Sequence, residues 1–215
     1  MNLSETLTAA ANPEKALQME KYMRNQFTFL GIPAPERKKI FREFIQSIDH
    51  TPIDWDFVHD CWHDKPREYQ YIAIGYLIKF KKKLTINDIP VLKQLITTHS
   101  WWDSVDGLDE LLGHLAYETP EVEAIMLEWS QDENFWIRRV AIDHQLLRKD
   151  KTNTELLAQI ICNNFNDKEF FINKAIGWSL RDYSKANPTW VREFIETHKE
   201  QMAPLSIREA SKYLD

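Results

Sequence analysis

Apolar residues recur along this chain at intervals of three and four, the spacing of one helix face, and long stretches lack the strict alternation of a half-buried strand. Turn residues punctuate the pattern. Asn12-Pro13 opens a helix running to about Asn25, and Gly31-Ile32-Pro33-Ala34-Pro35 is a rigid break before Glu36–Ile48. Thr51-Pro52 precedes Asp54–His63, and Lys65-Pro66 precedes Arg67–Lys81. Thr85 is placed to cap Ile86–Thr97, and Ser100 to cap a helix through Leu115. Thr119-Pro120-Glu121 starts another with proline in its first turn. Asn134–Leu147, Thr152–Asn163, Lys168–Lys185, Pro188–Thr197 and Ser206–Leu214 follow.

This pattern predicts an all-α protein of roughly a dozen helices, arranged as helix–turn–helix pairs of about 30–45 residues. The spacing suits HEAT-like units stacked into a curved α-superhelix, with residues 1–215 forming one domain. A compact bundle is the competing architecture. The array matters for function because it presents a concave face onto which successive helices project side chains.

Composition agrees with this picture: 43% of the residues are hydrophobic, 28% are charged and only 5 are glycine. Cys61 and Cys162 lie far apart without metal-ligand spacing, which predicts neither a disulfide nor a metal site and fits a reducing cytoplasm. The N-terminal residues lack the basic-then-apolar order of a signal peptide, and no apolar run reaches the length of a membrane span. The net charge of −6 speaks against a uniformly basic surface. Its distribution changes the argument: residues 101–135 hold ten Asp and Glu and no Lys or Arg, so the remainder is net cationic and a basic groove is permitted. That acidic stretch is a candidate for the convex side.

Three segments carry candidate chemistry. In SWWDSVD (100–106), Trp102 and Asp106 stand one turn apart on a shared face, while Trp101 and Val105 point inward. Asp103 has a structural role at the helix N-terminus that Asp106 lacks. In FWIRR (135–139), Trp136, Arg139, Val140 and Asp143 form one stripe, so Arg139 projects along a partly apolar line. In KEFFINKAIGWSLRDYSK (168–185), Lys174, Trp178, Arg181 and Lys185 share a face opposite a core stripe of Phe171, Ala175, Ile176, Leu180 and Tyr183. Cations around a large aromatic suit phosphate together with a base, a sugar or a cationic ligand. Blander readings compete at each place: a surface carboxylate with an edge-of-core Trp, a core-edge Arg paired with Asp143, and a solvated basic face. The lysines of KFKKK (79–83) read mainly as charge complementing a helix C-terminus.

These segments, with YMRNQFTFLGIPAPERK (22–38), EYQYIAIGYL (68–77), FWIRRVAI (135–142) and APLSIREASKYL (203–214), make the chain similar to the AlkD-type DNA alkylation-repair glycosylases, a family of HEAT-like repeat proteins. The resemblance spans nearly the whole sequence. It implies a concave DNA-binding face and a functional set that falls, motif by motif, on Trp102, Asp106, Arg139 and Trp178. All four residue types are present.

The implied reaction is hydrolysis of the N-glycosidic bond of cationic N3- or N7-alkylated purines in duplex DNA, with the lesion held from the backbone side and no base flipped into a pocket. Asp106 would stabilise the developing charge on the sugar and position a water. Trp102 and Trp178 would pack against the lesion's backbone and sugar, Arg139 would grip a flanking phosphate, and Lys174, Arg181 and Lys185 would hold neighbouring phosphates. No lysine stands out as a Schiff-base nucleophile, which implies a monofunctional enzyme. No cofactor or metal, no membrane and a monomeric state are expected. The alternative is a catalytically silent HEAT-like module that binds structured or branched nucleic acid; a pure protein-interaction scaffold would leave the Lys174/Trp178/Arg181/Lys185 face unexplained.

Overall fold

The computed structural model describes residues 1–48, 52–63 and 65–214. Thirteen α-helices and four short 3-10 turns, with no strand, account for its regular structure among the described residues. The all-α expectation therefore holds. Thr51, read with Pro52 as preceding the helix Asp54–His63, lies outside the described residues.

The chain folds as two compact units, residues 1–84 and 85–215. The first contains α1 (Leu3–Ala9), α2 (Pro13–Tyr22), α3 (Ala34–Gln46), α4 (Trp55–Trp62) and α5 (Arg67–Lys79). Helix α1 has no counterpart among the expected elements; at 7 residues it is too short to show a periodic pattern, and Asn2 caps it. The side chains of Asn12 and Asp54 accept the amides of Lys15 and Phe57 in the first turns of α2 and α4. Between α2 and α3, the FLGIP break is held by the buried carboxylate of Glu68 on α5, which accepts the amides of Leu30, Gly31 and Ile32 at 3.0, 2.9 and 3.1 Å. Gly31 has φ of +83°, and a Cβ there would lie 2.0 Å from the Asn12 carbonyl oxygen, so only glycine fits.

The second unit contains α6 (Ile89–Thr97), α7 (Trp102–Glu118), α8 (Glu121–Trp129), α9 (Phe135–Asp143), α10 (Thr154–Cys162), α11 (Phe170–Ser184), α12 (Pro188–His198) and α13 (Pro204–Ala210). Helix α11 packs against α9 and α13, and α9 also packs against α7. Buried Leu108, Leu111, Leu112, Ile137, Val140, Ile172, Ile176 and Leu180 supply the common core. Burying such side chains stabilises by about 1.5–3 kcal/mol each, which makes packing rather than propensity the source of helix stability.

Several expected boundaries move, three of them with a clear local cause. Thr85 does form a capping box with Asp88, but the box closes a 3-10 turn, Ile86–Asp88, and α6 follows it. Ser100 does not cap α7: its hydroxyl donates back to the Ile96 carbonyl at 2.6 Å, and Trp101 stands at the N-cap. Helix α9 stops at Asp143 instead of reaching Leu147, which adopts φ of +67°. No helix among the described residues is long and apolar enough to cross a membrane. Both cysteines are free, Cys61 buried and Cys162 exposed.

Candidate functional site

The expected site residues all lie in the second unit, on α7, α9, α11 and the residue just after α11. An aromatic cluster joins the first turns of these helices. Trp101 meets Trp136 at 6.0 Å and Phe171 at 5.3 Å between ring centroids, and Trp136 meets Phe171 at 4.8 Å. Such contacts favour tilted and edge geometries and contribute beyond the area they bury. They bring the backbone of α11 close to α9, and the result is used directly: Nη1 of Arg139 donates to the Phe171 carbonyl at 2.8 Å.

Trp102 and Asp106 sit one turn apart on α7, both partly exposed, as their spacing predicts. Arg139 on α9 is 1% exposed. Its Nε donates to Asp106 Oδ1 at 2.8 Å and its Nη2 to Oδ2 at 2.9 Å, a two-point clamp on a carboxylate whose side chain is 26% exposed. Asp143, one turn along α9, lies 3.7 Å from the same Nη2. Burial works against the charge of Arg139, but Asp143 and Asp106 more than offset it and hold the guanidinium firmly protonated. A grip on a flanking phosphate does not suit this position. Arg139 is enclosed, and three of its five N–H donors are committed to Asp106 and Phe171.

Trp178 stands at the centre of three cations. Arg139 lies 5.3 Å from its ring centroid, Lys174 5.7 Å and Arg181 5.9 Å. Lys174 and Arg181 thus share the face with Trp178 that spacing predicts, and the group reaches across to α9. Its cations already have a partner. Glu209 of α13 accepts from Lys174 Nζ at 2.8 Å on one oxygen and from Arg181 Nη1 at 2.8 Å and Lys212 Nζ at 2.7 Å on the other. Only 4% of Glu209 is exposed, covered by the cationic side chains that bind it. The hydrogen bonds from Lys174 and Lys212 pull its carboxyl down to about 2. Lys185 stands apart, with a 3.2 Å ion pair to Asp182 and a position 5.6 Å from the Tyr213 ring.

Sequence reasoning missed Glu209 and Lys212, because nothing in the spacing of residues 203–214 says which cations they meet. One indirect signal was present. Gly177 precedes Trp178, and a Cβ there would lie 2.5 Å from Glu209 Cβ and 3.1 Å from the Ser206 carbonyl oxygen, so this glycine marks the close approach of α13. Asp109 was also overlooked: its carboxylate, with those of Asp106 and Asp143, places oxygens within 4.8 Å of one another. That spacing could hold a cation, and Arg139 already supplies a positive charge there.

Chemically, this is a partly exposed carboxylate oriented by a buried arginine, with an aromatic face beside it and a cationic surface around that face. The chain belongs to the DNA alkylation repair enzyme family, whose pattern it matches over residues 3–214. It is 38% identical to the solved structure of a predicted DNA alkylation repair enzyme from Enterococcus faecalis, which superposes with a TM-score of 0.87 over 95% of this chain and 96% of that one. AlkD2 from Streptococcus mutans shares the fold at 18% identity, with a TM-score of 0.61 over 85% of this chain and 91% of that one. The alkylpurine DNA glycosylase AlkC of Pseudomonas fluorescens, solved bound to DNA containing an abasic site analog, also shares it at 18% identity. There the TM-score is 0.61, over 99% of this chain and 61% of that chain. No curated protein matches the chain.

Proposed function

We propose that the protein is a monofunctional DNA glycosylase that hydrolyses the N-glycosidic bond of cationic N3- or N7-alkylated purines in duplex DNA. The observation that carries the reading is the two-point clamp of Arg139 on Asp106, beside the ring of Trp178. Alkylation at N3 or N7 already makes the base a good leaving group, so the protein has to stabilise positive charge on the sugar and supply a water. A carboxylate fixed in direction does the first and can orient the second. Trp102, on the same face of α7, and Trp178 are the aromatic surfaces for the lesion's sugar and backbone. Arg139 acts through Asp106, while Lys174, Arg181 and Lys185 meet the phosphates with the donors that Glu209 and Asp182 leave over. Contact from the backbone side requires no pocket for a flipped base.

One observation favours a second reading: both oxygens of Asp106 are taken by Arg139, which would leave a catalytically silent module that binds structured nucleic acid. Release of 7-methylguanine and 3-methyladenine from methylated duplex DNA, compared between the wild type and Asp106→Asn, separates the two. Release that collapses in the variant while DNA binding persists supports the glycosylase. Salt-sensitive binding without release by the wild type supports the silent module.

A further inference from the structure

The carboxylates around Arg139 outnumber the charge available to them. Asp106, Asp109 and Asp143 bring oxygens within 4.8 Å of one another, and Asp109 and Asp143 are 7% and 2% exposed. Arg139 spends two donors on Asp106 and one on Phe171, and approaches Asp143 no nearer than 3.7 Å, beyond hydrogen-bond distance. Asp143 Oδ2 is buried and accepts no hydrogen bond. Its Oδ1 faces the Ser179 hydroxyl at 3.5 Å, but that hydroxyl has one proton and donates it to the Ile142 carbonyl at 2.7 Å. An ionised Asp143 would therefore be a buried anion whose one cation, Arg139 at 3.7 Å, is already bonded to Asp106, close to two further carboxylates. Such a group keeps a proton or finds a cation.

We infer that Asp109 and Asp143 retain one proton between them, and that Asp143 is thereby a positioning residue: while neutral it leaves Arg139 to Asp106, and when ionised it draws Nη2 away from Asp106. The inference rests on the reading of Asp106 as the electrostatic centre of the reaction. The charged groups that act on Asp143 are Arg139 of its own helix and Asp106 and Asp109 of α7, with Glu110 acting on Asp109. Helix α11 faces it with the neutral Ser179. The adjoining His144 is buried, which pushes it down to about 3 and keeps it uncharged near neutrality. Burial raises both Asp109 and Asp143, and their proximity to Asp106 raises them further.

Two hydrogen bonds fix the direction of Asp106, whereas one lets the carboxylate pivot. Displacement by about 1 Å in an active site can cost up to about 100-fold in rate, so even partial loss of the second bond is measurable. Two measurements test this. The first follows the Asp carboxyl carbons and the Arg139 Nε–H by NMR in the wild type from about pH 5 to 9. The second follows single-turnover release of 7-methylguanine from pre-bound duplex in the wild type, Asp143→Asn and Asp109→Asn. The expected result is an Asp109/Asp143 titration near neutrality that the Arg139 signal follows. Wild-type release should fall about three- to tenfold from pH 6 to 8, with a flat profile in Asp143→Asn and a slope of the same sign in Asp109→Asn, which keeps Asp143. An Arg139 signal indifferent to pH across this range overturns the inference, as does an Asp143→Asn profile that keeps the wild-type slope. If the wild type releases no base at any pH, the glycosylase reading fails, while the Arg139 signal still decides whether Asp143 competes for it.

Discussion

Arg139 and Asp106 meet through two parallel hydrogen bonds, at 2.8 and 2.9 Å, with the guanidinium buried and the carboxylate partly open to solvent. The asymmetry assigns the roles: the exposed partner can reach a substrate, and the buried one holds it in place. Arg139→Lys keeps the charge but not the planar fork, so base release is expected to fall about tenfold or more with the fold retained. Arg139→Ala leaves buried carboxylates uncompensated and should destabilise the protein by about 3–5 kcal/mol. Single-turnover release and thermal unfolding of the two variants check these outcomes. Full activity in Arg139→Lys would show that the clamp does not orient Asp106.

The faces of the helices were legible because helical geometry is local. Spacing alone placed Trp102 with Asp106, and Lys174 with Trp178 and Arg181, and the folded chain keeps those groupings. What lies opposite a face is not local. The stripe Trp136, Arg139, Val140, Asp143 was readable as partly apolar, but its enclosure by α7 and α11 was not, so a phosphate grip and a core ion pair with Asp143 both fitted Arg139. In the structure its principal partner is Asp106, 33 positions away. Glu209 shows the same limit from the other side: it is 35 positions from Lys174, and only Gly177 hinted at its approach.

Stability should depend on pH through Asp143, whose carboxyl burial raises from 3.8 to about 7. Between those values the folded protein keeps a proton that the unfolded chain releases, so stability falls as pH rises through this window and levels off above it. Asp143→Asn removes this group's share of the dependence and leaves Asp109 in place. Its melting temperature relative to the wild type should therefore rise between about pH 4 and 7, by about 3 °C or more. A difference that stays constant from pH 4 to 8 would contradict the raised carboxyl.

Glu209 predicts the opposite dependence. Hydrogen bonds from Lys174 and Lys212 lower its carboxyl from 4.5 to about 2, so its contribution is full above about 4.5 and is lost as pH falls toward 2. Glu209→Gln should cost about 1–2 kcal/mol at pH 7, a charge-assisted contribution discounted for the solvent reaching the cations. That cost should shrink in acid, as thermal unfolding at pH 7 and pH 3 would show. It should also release Lys174 and Arg181 from a shared anchor beside Trp178, making the indole fluorescence more accessible to an anionic quencher. A cost that grows in acid would contradict the ion cluster.

Gly177→Ala tests whether the cationic face depends on the approach of α13. The added methyl would lie 2.5 Å from Glu209 Cβ and 3.1 Å from the Ser206 carbonyl oxygen. Neither atom is the far end of a flexible side chain, so α11 and α13 must separate. Alanine is otherwise the better helix residue by about 1 kcal/mol, which sets the direction of the test. If packing against α13 governs, the variant is destabilised by about 1–3 kcal/mol despite the gain in propensity, and salt-dependent DNA affinity falls because Lys174 and Arg181 lose their common anchor. Unfolding and a salt titration of duplex binding measure both effects. A stabilised variant with unchanged DNA affinity would mean that α13 yields without cost and that Glu209 does not arrange the cations around Trp178.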